Sequence, residues 1–199
     1  MHPTKLVVFG RDGVLNHFRD DHVKAADEWV PIPGALEAVA RLNHAGWHAV
    51  VATNQSGIGR GMIDMASVNA VHAHMNQRLL ALGGRIDAVF FCPHTPEDQC
   101  DCRKPLPGLL LEIGRRYAVD LASVVAVGDT LRDLQAAHAA GAQAHLVKSG
   151  RAAALSHEQV QAMLALVPCA GVHADLGAFA DSLMARDHVF DSRIAGLAR

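Results

Sequence analysis

Four short stretches of this chain combine carboxylates, a hydroxyl and cations in sets suited to a phosphoryl group. They are Arg11-Asp12-Gly13, Thr53-Asn54-Gln55-Ser56, Arg103-Lys104-Pro105 and Gly128-Asp129. Asp12 and Asp129 offer the hard oxygens that Mg²⁺ prefers. Thr53, Arg103 and Lys104 offer a hydroxyl and positive charge to phosphoryl oxygens. Asn54, Gln55 and Ser56 add neutral hydrogen-bonding groups on the substrate side. Singly, each has a plainer use. A strand-end aspartate often caps a helix, a Thr-Asn pair often marks a turn, and a lone lysine is usually a surface charge. Their combination is what points to phosphoryl chemistry.

A second constellation lies between the second and third of these stretches. Cys92, His94, Cys100 and Cys102 read Cys-x-His-x₅-Cys-x-Cys, with Pro93, Pro96 and Asp98 suited to a tight loop between them. Three thiolates and one imidazole suit tetrahedral Zn²⁺. Four protein ligands leave no open position, so such a site is structural. The last ligand directly precedes Arg103 and Lys104, so a closed metal loop would present both cations to the rim. Reduced, metal-free thiols or a disulfide pair are the competing readings. The remaining cysteine, Cys169, reads as a small apolar residue.

Positioning these groups requires strands that end where the polar residues begin. Leu6–Phe9, Trp47–Ala52, Ile86–Phe91, Val124–Val127 and His145–Val147 are short apolar runs of the kind buried on both faces. Between them, helical stripes are expected over about 36–42, 66–82, 107–117 and 131–140, stopped by Gly46, Gly83 and Gly141. Pro107 suits a first helical position. Strand–helix alternation predicts an α/β fold with a doubly wound parallel sheet, whose ligands bind outside the carboxyl ends of the strands. Beyond Gly150, a helix near 157–166, a short strand near Val172 and a helix near 176–185 complete a single domain over 1–185. Residues 186–199 are expected to form a surface-draped or poorly ordered tail.

With 199 residues, half of them hydrophobic and 19% charged, the chain has material for a substantial core. A net charge of −2 gives no general attraction to nucleic acid. No apolar run approaches the roughly 18–20 residues that span a bilayer, and no secretory signal opens the sequence. The thirteen histidines are mostly isolated on helices and loops and read as surface composition. The expectation is a cytoplasmic monomer acting on a small phosphorylated sugar or alcohol, without a nucleic-acid or membrane partner.

The four blocks, in this order, resemble the motifs of the haloacid dehalogenase (HAD) superfamily. The longer strings Arg-Asp-Gly-Val-Leu-Asn (11–16), Thr-Asn-Gln-Ser-Gly-Ile (53–58), Cys-Pro-His (92–94), Cys-Arg-Lys-Pro (102–105) and Val-Gly-Asp (127–129) resemble those of the D-glycero-D-manno-heptose 1,7-bisphosphate 7-phosphatases. Histidinol phosphatases are similar. The resemblance spans about residues 5–150. It implies a HAD-like Rossmannoid domain with a zinc loop and no large cap domain. The implied activity removes the 7-phosphate of a heptose bisphosphate on the way to the lipopolysaccharide core. Asp12 would be the general acid/base, Thr53 and Lys104 would hold phosphoryl oxygens, and Arg103 would assist at the substrate. Asp129 and the main-chain carbonyl of Asp12 would ligate catalytic Mg²⁺, with Asp133 one helical turn beyond.

One position departs from the family pattern. There the first strand ends Asp-x-Asp-Gly, and the first Asp attacks phosphorus and ligates the metal. Here the segment is Gly10-Arg11-Asp12-Gly13. Glycine has no group with which to attack, and nothing in the sequence places Asp20 or Asp21 in line as substitutes. The chain as written is expected to have little or no phosphatase activity. An inactivating substitution, natural loss, and a single-base sequence error all fit, because Asp and Gly codons differ by one base. A non-catalytic phosphate-binding protein is the rival reading.

Overall fold

A computed structural model describes residues 4–197, with side chains as far as Asp187. Its centre is a six-stranded parallel sheet of β1 (Leu6–Phe9), β2 (His48–Asn54), β3 (Ala88–Cys92), β4 (Val125–Gly128), β5 (Gln143–Val147) and β6 (Gly171–His173). The spatial order is β3-β2-β1-β4-β5-β6. The chain leaves β1 toward β2 on one side and later returns to place β4 on the other. This order change opens a crevice beyond the carboxyl ends of β1 and β4.

The period-two geometry of each strand divides the apolar runs between two cores. Val7, Phe9, Ala49, Val51, Val125 and Val127 face α1 (Ala35–His44), α3 (Met65–Leu80) and α7 (Leu176–Leu197). Leu6, Val8, Val50, Ala52, Ala126 and Leu146 face α4 (Gly108–Tyr117), α5 (Leu131–Ala139) and α6 (His157–Leu166). Both faces are covered, which explains why the strands read as unbroken apolar runs. A four-residue helix, α2 (Ser56–Gly59), follows β2 directly.

The expected elements are present, with shifted ends. Thr53 and Asn54, expected where the second strand ends, are the last two residues of β2, and Cys92 closes β3, so the first thiol is fixed by a ladder. The last helix does not stop near 185: its backbone continues to Leu197. Asp187 explains the continuation, accepting from Lys5 Nζ at 3.0 Å and Trp47 Nε1 at 2.9 Å. Arg186 donates to Gln143 Oε1 at 2.9 Å. The expected loose tail therefore begins as helix, and residues 198–199 lie outside the described residues. No helix among the described residues is long and apolar enough to cross a membrane.

At the far edge of the sheet His145 Nδ1 and His173 Nε2 lie 3.0 Å apart, both packed on the Phe179 ring. Burial lowers both, and His173 and Arg186 add repulsion that brings His145 to about 4. The folded chain thus binds fewer protons here than the unfolded chain between pH 4 and the ordinary 6.5, and stability falls as pH drops through that window. Asp129, raised to about 6, acts in the opposite sense, so a variant comparison is needed. Denaturant titrations should show His145→Phe losing about 1–2 kcal/mol less than wild type between pH 7 and pH 5. Identical losses in the two proteins would refute the assignment.

Candidate active site

The four polar blocks meet around one cleft at the carboxyl rim. Gly10, Arg11, Asp12, Thr53, Asn54, Ser56, Arg103, Lys104 and Asp129 all line it. Each is placed by its backbone. Gly10 extends β1, its N–H bonded to Val127 O at 2.8 Å. Thr53 lies within β2, and Asp129 follows the last residue of β4.

Asp12 is held from two sides. Arg11, only 2% exposed, donates from Nη2 to both Asp12 oxygens at 3.1 and 3.0 Å. Asn16 Nδ2 donates to Oδ1 at 2.9 Å. Behind the guanidinium, His72 Nε2 lies 3.3 Å from Arg11 Nη1. Burial first and Arg11 second lower His72 to about 4, so it is neutral at pH 7 and can accept this bond. Gln55 belongs to the same support. With its amide oriented to satisfy its neighbours, its oxygen accepts from Arg11 Nη1 at 3.2 Å, Arg11 Nη2 at 3.0 Å and Thr53 Oγ1 at 3.0 Å. Gln55, expected at the substrate, is buried behind the lining and orients Thr53 and Arg11 instead.

Lys104 reaches the cleft through a braced loop. Asn54 Nδ2 donates to Lys104 O, and Lys104 N donates to Asn54 Oδ1, both at 3.1 Å. The Lys104 ammonium donates to Ala52 O at 2.9 Å and pairs with Asp133. Burial alone would raise the Asp133 carboxyl, but Lys104 and the Thr130 donors outweigh it and hold it below the usual range. Asp133 also accepts from Thr130 N at 3.1 Å, closing a capping box at the start of α5. One carboxylate thus anchors the lysine and starts a helix.

Asp129 is nearly buried, and burial followed by the charge of Asp133 pushes it up to about 6. Its one side-chain hydrogen bond among the described residues comes from Arg151 N at 2.8 Å. Gly13 makes this seat possible: with φ of 84°, a Cβ there would lie 2.0 Å from Asp129 Oδ2.

Cys92, His94, Cys100 and Cys102 offer ligand atoms that all lie within 4.8 Å of one another. Cys100 Sγ is 3.6 Å from the sulfurs of both Cys92 and Cys102, and His94 Nδ1 is 3.3 Å from Cys102 Sγ. Sulfurs bonded to each other would be about 2.05 Å apart; sulfurs about 2.3 Å from a shared tetrahedral ion would be near 3.8 Å apart. The cluster is consistent with a zinc-binding loop. Arg103 Nη1 donates to His94 O at 3.1 Å, so the loop also aims the arginine.

The cleft has lining residues that the motifs did not single out: Arg132, Arg151 and His22, with Arg19 and Asp20 from the loop after β1. Arg151 lies over Phe18, 4.2 Å from its ring centroid. A strand-end search could have found Arg151, four residues past β5. Asp21 is paired with Arg19 and Lys24 rather than lining the cleft.

The HAD-hydrolase-like family matches residues 101–169. D-glycero-β-D-manno-heptose-1,7-bisphosphate 7-phosphatase of Bordetella bronchiseptica is 56% identical over 146 residues, covering 73% of this chain and 82% of that protein. This chain belongs to that phosphatase family. The Pseudomonas aeruginosa member is 50% identical over the same shares of the two chains. A crystal structure of the B. bronchiseptica phosphatase with magnesium and phosphate superposes with a TM-score of 0.84 at 48% identity, covering 92% of this chain and 99% of that one. The Burkholderia thailandensis phosphatase gives 0.67 at 44% identity, covering 91% and 99%. By family this heptose-bisphosphate phosphatase homologue is a phosphomonoester hydrolase, with no separate cap domain.

The Lys104–Asp133 pair has a measurable consequence. Lys104→Met leaves a buried carboxylate unpaired and should destabilise the fold by about 3 kcal/mol. In Lys104→Met/Asp133→Asn, the neutral amide removes that charge, so the combined loss should be clearly smaller than the sum of the single losses. Denaturation of all four proteins tests this, and simple additivity would rule out coupling.

Proposed function

We propose that the cleft is a phosphomonoesterase site for the 7-phosphate of D-glycero-β-D-manno-heptose 1,7-bisphosphate, held at little or no turnover by Gly10. The supporting observation is the convergence of Asp12, Thr53, Lys104 and Asp129 on one cleft whose floor is Gly10. The substrate comes from the relatives' activity and suits a rim that also carries Arg103, Arg132 and Arg151.

Thr53 Oγ1 and Lys104 Nζ grip the phosphoryl oxygens. Asp12, clamped by Arg11 and Asn16, protonates the leaving alkoxide and then draws a proton from water. Arg103 meets the substrate from the zinc-loop side, and Asn54 keeps Lys104 at the correct height. Ser56 borders the substrate, while Gln55 acts only through Thr53 and Arg11.

Mg²⁺ fits the oxygen donors present: Asp129 is buried with a single hydrogen bond, an arrangement that a hard cation would compensate. Asp129 and the Asp12 main-chain carbonyl would hold the ion, which when bound would neutralise charge on the phosphoryl group. Gly10 removes one carboxylate from the family's donor set, so affinity falls with the nucleophile. Zn²⁺ is the structural ion of the Cys92, His94, Cys100 and Cys102 cluster. Freshly purified protein should contain about one equivalent, lost in Cys100→Ser. Under half an equivalent in the unmodified chain would overturn the zinc assignment.

At Gly10 the backbone is outside the left-handed region. A Cβ there would meet Val14 Cγ2 at 3.0 Å and Val127 O at 3.6 Å. A small shift of Val14 therefore accommodates Asp. Gly10→Asp should raise phosphate release from the heptose bisphosphate by about 10³-fold or more and tighten Mg²⁺ binding. The second reading, a non-catalytic phosphate binder, is favoured by Gly10 itself. It requires that Gly10→Asp bind ligand with no gain in turnover, which would defeat the first.

A further inference from the structure

We infer that the space left by the absent Gly10 side chain is a binding site for a small carboxylate, with formate the best fit, which takes over as the attacking group. The inference rests on the phosphomonoesterase reading of the cleft and goes beyond it. It assigns this chain an activity that depends on a soluble anion.

Gly10 borders two spaces at once. It lines the main cleft with Asp12, Thr53, Lys104 and Asp129. It also borders a void on the apolar side, roomy enough for about one water, between Val8, Ala52, Leu110 and Val127. Val14, which faces the missing Cβ, does not line that void, so the anion's seat is in the cleft itself, where Lys104 and Thr53 are among its neighbours. Among the described residues Arg103, Arg132 and Arg151 line the cleft without an ion pair, against the carboxylates of Asp20 and Asp129 on the same lining, which leaves a small cationic surplus. Such unspent positive charge raises the local concentration of small anions.

The Cβ geometry ranks the candidates. An aspartate side chain is chemically acetate joined to the backbone. The position of its methyl carbon is 3.0 Å from Val14 Cγ2, tighter than ordinary carbon contact. Formate supplies the same two oxygens without that carbon. Acetate must displace Val14, and propionate requires one carbon more than the space was shaped for. The preferred order is formate, then acetate, with propionate excluded.

The step balances without an external oxidant or reductant. A formate oxygen forms a bond to phosphorus as the bond from phosphorus to the sugar oxygen breaks. The departing alkoxide takes the proton from Asp12. The product is formyl phosphate, a mixed anhydride. Water, losing a proton to Asp12, cleaves it to phosphate and formate. One water is consumed and formate is regenerated. A nucleophile bound at this site is less well positioned than one tethered to the backbone, so only part of the Gly10→Asp rate is recoverable.

The experiment measures phosphate release from the heptose bisphosphate by the unmodified chain in sodium formate, acetate, propionate or chloride at equal ionic strength. At about 0.5 M, formate should accelerate turnover roughly 10- to 100-fold, acetate less, and propionate and chloride not at all. Gly10→Ala puts a methyl in the space and should abolish the formate effect while leaving the fold intact, as checked by circular dichroism. Gly10→Asp, already supplied with a carboxylate, should not respond. If Gly10→Asp is active and formate does nothing to the unmodified chain, this inference fails while the phosphomonoesterase reading stands. If neither formate nor Gly10→Asp produces turnover, both fail. Equal acceleration by chloride, or in Gly10→Ala, also overturns the carboxylate site.

Discussion

Charge held out of water at the edge of an apolar sheet is the constraint from which the rim takes its shape. Asp12, Asp129, Asp133, Arg11 and Lys104 sit where buried strands end, and an uncompensated charge there would cost several kcal/mol. Each is accordingly given a partner: Arg11 clamps Asp12, Lys104 answers Asp133, and a backbone N–H serves Asp129. Apart from the adjacent Arg11 and Asp12, these partners come from segments well separated in sequence. The loop after β1, the turn after β2, the cysteine loop and the turn after β5 are therefore fixed to one another by electrostatics at the rim and by packing below it. Asp129 is the least compensated and carries the raised pKa. That is the property expected of a group whose compensation comes from a ligand.

The cysteine loop extends the same logic mechanically. A lysine on a free loop would lose much of its side-chain and backbone entropy in gripping a phosphate. Here that cost is met during folding: Asn54 ties the Lys104 backbone, and Arg103 is tied to the carbonyl of His94 inside the ligand cluster. Cys92 is itself the last residue of β3, and its ladder partner Asn54 is the residue that holds Lys104. Cysteine loop, strand and cation thus form one short connected path, which converts sheet rigidity into placement of charge.

The sheet and the convergence of the motifs were legible in the sequence because they arise from periodicity and strand ends. Phe9, Val51 and Val127 read as continuous apolar runs because helices cover both faces. Gln55 shows where sequence reading stops. Its neighbours in the chain suggest a substrate contact, whereas its burial turns the amide toward Arg11 and Thr53. His72 is similar: on an amphipathic helix it reads as surface composition, and only the fold places it behind Arg11. Arg132 and Arg151 lie outside the four blocks: Arg132 is in the first turn of α5, and Arg151 is four residues past β5, where a strand-end search reaches it. The helical continuation past Arg186 was hidden for a different reason. Its anchors are single polar contacts from Asp187 to Lys5 and Trp47, and they leave no periodic trace.

Gly10 takes its meaning from what surrounds it. A site that had lost all use for phosphate would be more stable with its buried ions replaced by apolar side chains, since a buried pair is often no better than neutral for stability. This chain keeps the Lys104–Asp133 pair, the fully buried Arg11 and the strained burial of Asp129. It also keeps glycine at position 13, where φ is 84° and a Cβ would collide with the Asp129 carboxylate. The change at position 10 therefore sits in a frame still built for ligand. On the proposed reading it removes one nucleophile and one metal-binding carboxylate, while Asp12, Thr53, Lys104 and the loop that aims the cations are all in place.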